Sequence, residues 1–307
     1  MIQDAESVSA RRTEWPHPAA EGLDDLPPAG ILDHLLVQQQ ASLSAVRPAF
    51  AQIERAARLL ADTVRGGGRI AYAGAGSSAL MAVADGMELP GTFGLNPDRI
   101  VLMMAGGLPR DARMPGDTED DRAEGARAGG ILGAGDTVIC VSASGTTAYP
   151  LGVAEVARGR GASVIGIANN PKTPLLLTAH VAICLQTPPE VIAGSTRMGA
   201  GSAQKCCLNM MSTLMAVFLG EVHDGRMVNL VADNAKLQAR AAGMVADIAG
   251  CDPAAARAAL VAANGSVKVA VLIARGLDAA GAVQRLAAAG GRLRRVLEAL
   301  PPQAGRA

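Results

Sequence analysis

Five short apolar runs punctuate the first two thirds of the chain, at 69–74, 100–105, 136–141, 163–168 and 181–185, and most of them end in small residues. Within them polar and apolar positions do not alternate, so each run would be buried on both faces, as the strands of a parallel sheet are. Segments of helical length (80–87, 119–129 and 151–160) separate most of the runs. Strands alternating with helices predict an α/β fold: a doubly wound five-stranded parallel sheet of flavodoxin-like type, covered by helices on both sides.

The flanks read differently. Residues 1–30 carry Pro16, Pro18, Pro27 and Pro28 and no sustained period, which predicts an extended arm able to wrap a neighbour. Helical spacing begins at Ile31, Leu32, Leu35 and Leu36 and resumes at Ile53, Ala56, Leu59, Leu60 and Val64, before Gly66, Gly67 and Gly68 stop it. A long helix is expected over 202–220. Beyond Gly250 the text turns Ala-rich: Pro253 opens one helix, Ser266 caps another over 267–275, and two more follow at 279–288 and 292–300. The expected division is an N-terminal arm and helix (1–46), the sheet domain (47–246) and a small helical domain (247–307).

Composition narrows the function classes. Lys+Arg and Asp+Glu number 28 each and aromatics make up 2%. No long-range field draws in nucleic acid or an anionic membrane, and no stacking platform is available. The N-terminus has no apolar signal-peptide core, and the longest apolar stretch, 206–219, is too short and too polar to span a bilayer. Cys140, Cys184, Cys206, Cys207 and Cys251 show no metal-binding spacing and the four histidines are scattered. The expectation is a cytoplasmic protein with reduced cysteines and no metal.

In such a sheet ligands gather at the carboxyl ends of the strands, where helices begin. Three segments put small hydroxyl residues and glycines there. The first, with Gly76, Ser77 and Ser78 after the first strand, matches G-x-G-x-x-[GA]. A dinucleotide would want an acid about 20 residues on, and the second strand ends Met103-Met104-Ala105-Gly106-Gly107 without one. A phosphate held by backbone N–H groups and hydroxyls fits better than NAD, so no cofactor is expected. The second, with Ser142, Ser144, Gly145, Thr146 and Thr147, gathers four hydroxyls at one helix start, where capping alone needs a single one. The third is the long loop with Glu190, Ser195, Thr196 and Arg197, whose guanidinium could serve a phosphate or carboxylate.

The segments GAGSSA, DGMELPGTFG, SASGTTAY, PEVIAGSTRMGAGSAQK and NAKLQ, with an N-terminal Thr-Glu and a C-terminal VKVAVLIARGLDAAGAVQRL, together resemble the ordered motifs of the N-acetylmuramic acid 6-phosphate etherases, which carry a sugar-isomerase (SIS) domain. The similarity runs from Thr13 to about Leu297. It implies a sugar phosphate ligand, a homodimer with contacts across the subunit boundary, and a lyase reaction. In that reaction a base takes the C2 proton of the open-chain sugar, an acid protonates the departing lactate at C3, and water adds to the double bond. Glu88 falls on one of the family's two catalytic glutamates. Gly116 falls on the other, leaving Asp117 or Glu119 as substitutes. Leu80, Thr146 and Gly199 stand where the family has cations, which implies an altered ligand. The vertebrate glucokinase regulatory protein is a non-enzymatic relative, so a phosphosugar-responsive regulator is the alternative, and an aldose–ketose isomerase a further one.

Overall fold

The computed structural model describes residues 11–114 and 117–301. Strands β1 (Ile70–Gly74), β2 (Ile100–Met104), β3 (Thr137–Val141), β4 (Ser163–Ala168) and β5 (Val181–Cys184) form one parallel sheet in the order β2-β1-β3-β4-β5. The central strands β1 and β3 are buried throughout, as their unbroken apolar runs require, whereas β5 at the edge is buried at alternate positions. Register aligns the carboxyl ends: Gly74 pairs with both Met104 and Val141, Val141 with Ile167, and Ala168 with Cys184.

Contacts divide the chain into two compact units. One holds Asp98–Ser212 with the chain up to Gly86, and the other holds Met87–Pro97 with Thr213–Ala307. The second unit therefore begins well before the change of composition near Gly250.

In the first unit, α1 (Pro28–Ser44) and α2 (Phe50–Arg65) are separate helices broken by a turn around Pro48. Helix α3 (Gly76–Phe93) starts within the first glycine-rich turn and runs through Pro90. It lies so close to the sheet that a Cβ on Gly86 would meet Leu102 and Tyr72 at 2.9 Å. Asp85 on the same helix is buried, and burial raises its carboxyl above the ordinary range although Tyr72, Asn209 and Ser212 all donate to it at 2.7–2.9 Å. Helices α4 (Arg122–Gly129) and α5 (Ala148–Gly159) touch backbone to backbone. Cβ atoms on Gly125, Gly129 and Gly152 would fall 2.1, 2.6 and 2.3 Å from the carbonyl oxygens of Tyr149, Val153 and Arg122. A short α6 (Pro174–Thr178) joins β4 to β5, and α7 (Gly199–Leu219) follows the last loop.

The second unit is mostly helical: a hairpin of β6 (Val222–His223) and β7 (Arg226–Met227), then α8 (Ala235–Ala249), α9 (Pro253–Ala262), α10 (Val267–Ala274), α11 (Ala279–Ala288) and α12 (Leu293–Glu298). Asn234, Asp252, Ser266 and Asp278 cap four of these helices, and Pro253 sits in the first turn of α9 as read from the sequence. Small and branched residues such as Ala241, Val245, Ala256, Val271 and Ala282 fill its core. The segment after Gly86 joins this unit through Asn229, which donates to the Phe93 carbonyl, and Val231, which donates to that of Gly91. Buried Lys268 pairs with Glu221 at 2.6 Å.

Candidate functional site

The turns after β1 and β3 meet because those strands are neighbours in register, and Ser77 and Ser144 each lie three residues past a paired position. They follow adjacent strands, at the carboxyl end of the sheet. Gly74 allows the approach: a Cβ there would stand 3.1 Å from the Val141 carbonyl oxygen. Ser77 and Ser78 lie in the first turn of α3, with Ser77 half-buried and Ser78 buried.

After β3 the hydroxyls form one cluster. Ser142 Oγ lies 2.8 Å from Thr147 Oγ1 and 3.2 Å from Ser144 Oγ, and Ser144 Oγ lies 3.3 Å from Thr147 Oγ1. The Gly145 N–H donates to Ser142 Oγ at 3.0 Å, and the Thr146 N–H to Ser144 Oγ at 3.2 Å. Gly145 has φ +72°, and a Cβ on it would collide with Thr173, whose buried hydroxyl has no hydrogen-bond partner among the described residues. The cluster heads α5, where N–H groups and the helix dipole favour an anion. One residue before Thr173, Lys172 holds φ +56°, a left-handed conformation unfavourable for a side chain of its kind.

Glu119 reaches the same edge. It sits in the 3-10 turn Asp117–Asp120, which the packed α4–α5 pair holds in place, and its Oε1 stands 2.6 Å from where a Cβ on Gly76 would be. Burial first, then the nearby Asp120, raises its carboxyl above the ordinary 4.5. Asp117 is exposed, and Gly116 lies outside the described residues. Glu88, on α3 in the other compact unit, is exposed and has no hydrogen-bond partner among the described residues.

The loop after β5 divides in function. Glu190, read from the sequence as a ligand contact, is placed otherwise: it is 1% exposed and accepts from the Gly199 and Ala200 N–H groups and from Gln38 Nε2 at 2.8–2.9 Å. Its carboxylate is occupied in anchoring the first turn of α7. Ser195 and Thr196 are half-buried and Arg197 is exposed. Sequence reading missed the asparagines after β4. Asn169 donates to Thr187 and accepts from Gln204, and Asn170 donates to the Ala143 carbonyl at 3.0 Å and to Thr13 at 3.2 Å. The described part of the N-terminal arm is thus pinned to its own chain. Their signal was only an Asn-Asn pair ending a strand, and the partners are distant in sequence.

SIS-domain family models match residues 37–169 and 123–219. The chain is 42% identical over 290 residues to an N-acetylmuramic acid 6-phosphate etherase of Deinococcus radiodurans, covering 94% of this chain and 95% of that protein. It is 38% identical to one of Mycolicibacterium smegmatis, covering 95% and 99%. Among solved structures, a phosphoheptose isomerase from Francisella tularensis aligns with 61% of this chain and 96% of its own, at 17% identity and a TM-score of 0.45.

Proposed function

Because the chain belongs to the N-acetylmuramic acid 6-phosphate etherase family, we propose that it is a carbon–oxygen lyase cleaving the lactyl ether of a sugar 6-phosphate. The observation that carries the ligand side of this reading is the hydroxyl cluster of Ser142, Ser144 and Thr147 beside the Ser77–Ser78 turn. Those hydroxyls can turn from one another to a phosphate, and the first N–H groups of α3 and α5 add donors. Ser195 and Thr196 extend the polar wall, and Arg197 is available to an acidic substituent.

The chemistry needs a group to remove the C2 proton, whose electron pair forms the C2=C3 bond as the C3–O bond breaks. It needs an acid to protonate the lactate oxygen. Water then adds across the double bond, leaving N-acetylglucosamine 6-phosphate when the substrate is N-acetylmuramic acid 6-phosphate. Glu88 takes one of these roles by its match to the family motif. For the other, Glu119 is favoured over Asp117, because it is half-buried, holds its proton more firmly than an ordinary glutamate and stands against Gly76.

A homodimer is part of the proposal, supported by the stripe of exposed Leu32, Leu36 and Leu43 along one face of α1. A cytoplasmic location accords with five cysteines left as thiols, and among the described residues no helix is long and apolar enough to cross a membrane.

The test is incubation with N-acetylmuramic acid 6-phosphate and assay of released lactate. Turnover is expected, and Glu88→Gln should reduce it about 100-fold or more while leaving affinity within several-fold. Binding without lactate release would instead identify a regulatory protein.

A further inference from the structure

The Thr-Glu pair near the N-terminus has no role in the mechanism above, yet the structure fixes it firmly at the ligand edge of the sheet. Thr13 is 1% exposed, and its hydroxyl accepts from Asn170 Nδ2 at 3.2 Å. The Arg12 N–H donates to Asn170 Oδ1 at 2.9 Å, so a single side chain grips the strap at two points. Asn170 also donates to the Ala143 carbonyl, between Ser142 and Ser144. The strap is therefore tied to the hydroxyl cluster through one residue.

That anchorage sets the position of Glu14. Its Oε2 lies 3.1 Å from where a Cβ on Gly194 would be, against the loop carrying Ser195 and Thr196. Its Oε1 has the Thr13 hydroxyl at 3.5 Å, and no cation pairs with it among the described residues. Its carboxylate is only partly covered, leaving acceptor capacity open to incoming donors. Sugars supply such donors as hydroxyl groups.

Sheet order gives the arrangement its meaning. Glu119 stands at the β1 side, the hydroxyl cluster follows β3, and the strap is tied to the turn after β4. Neighbouring strands are about 4.8 Å apart, so β1 and β4 are separated by roughly 10 Å with β3 between them. A ring whose phosphate rests on the β3 turn would lie with one carboxylate on each flank.

We propose that the strap Arg12–Glu14 is a wall of the ligand site and that Glu14 contacts the ligand directly, accepting hydrogen bonds from sugar hydroxyls. The inference rests on the phosphosugar reading above and assigns to that site a specificity-determining residue on the N-terminal segment. Recognition then has two parts: hydroxyls and N–H groups hold the phosphate, and Glu14 reads the carbohydrate.

The chain's single tryptophan, Trp15, adjoins Glu14 and is 46% exposed, so its fluorescence reports on the strap without any need for turnover. Titration with N-acetylglucosamine 6-phosphate should change that emission, and titration with inorganic phosphate should leave it nearly unchanged. By calorimetry, Glu14→Gln should weaken the sugar phosphate about tenfold or more and inorganic phosphate less than twofold, because a charge-assisted acceptor is lost far from the phosphate. A silent Trp15 with undiminished sugar phosphate affinity in Glu14→Gln would overturn the assignment while leaving the phosphosugar reading intact. If neither ligand binds the unmutated protein, the phosphosugar reading itself fails.

Discussion

Position 199 is glycine, and the surroundings give a reason. A Cβ there would fall 2.3 Å from Ser42 Oγ and 2.4 Å from Gln38 Nε2. The Gln38 amide cannot easily withdraw, since Glu190 accepts from it at 2.9 Å and the Pro189 carbonyl at 3.3 Å. Gly199→Ala should destabilise the protein by about 1–3 kcal/mol, read as a lower midpoint in urea. Glu119 offers a second test at this scale. Its carboxyl, raised by burial and by Asp120, binds a proton more tightly folded than unfolded. The stability it contributes is complete below the unfolded value, near 4.5, and is lost as pH rises through the folded value. Glu119→Gln should therefore flatten the pH dependence of stability from about 4.5 upward. Denaturation profiles that stay parallel across that range would show the carboxylate to be freely hydrated.

Among the elements, the α4–α5 pair matters most for the site, because it supports the turn that carries Glu119. Gly152 is a tight constraint within it: a Cβ would lie 2.3 Å from the Arg122 carbonyl, which is backbone and has no rotamer to change. Gly152→Ala should cost about 2–3 kcal/mol by forcing the helices apart. It should also weaken ligand binding, whereas Arg122→Ala, which only breaks an exposed pair with Glu155, should cost less than about 1 kcal/mol. The strands were legible because each is a continuous apolar run, and the starts of α9 and α10 because Pro253 and Ser266 mark them. Helix α3 was underestimated at both ends. Its first turn looked like a loop of glycine and serine, and its helical spacing was read only over 80–87 although the helix continues through Pro90 to Phe93. The hairpin of β6 and β7 has two residues per strand, too few for any period to show. The candidate site was readable where it consists of local turns, at Ser77, Ser142 and Thr147. It was not readable where it depends on pairs such as Thr13 and Asn170, 157 residues apart, or where a carboxylate like Glu190 serves a helix instead of a ligand.

For the whole molecule, Leu32, Leu36 and Leu43 on α1 are 66%, 57% and 43% exposed and follow helical spacing along one face. On the proposal of a homodimer, the unmutated protein should scatter light as a dimer at micromolar concentration and Leu36→Glu as a folded monomer. A variant that remains dimeric would place the subunit contact elsewhere. The hydroxyl cluster after β3 carries a different consequence. Phosphate sites built on arginine and lysine exchange small ions with the solution, and their affinity falls as salt rises. In the proposed site the groups that would meet the phosphate are neutral hydroxyls and N–H donors, and the chain as a whole has no net charge. Such a site draws nothing from a distance and yields little to ionic strength, so capture depends on close fit and holds steady when the salt content of the surroundings changes.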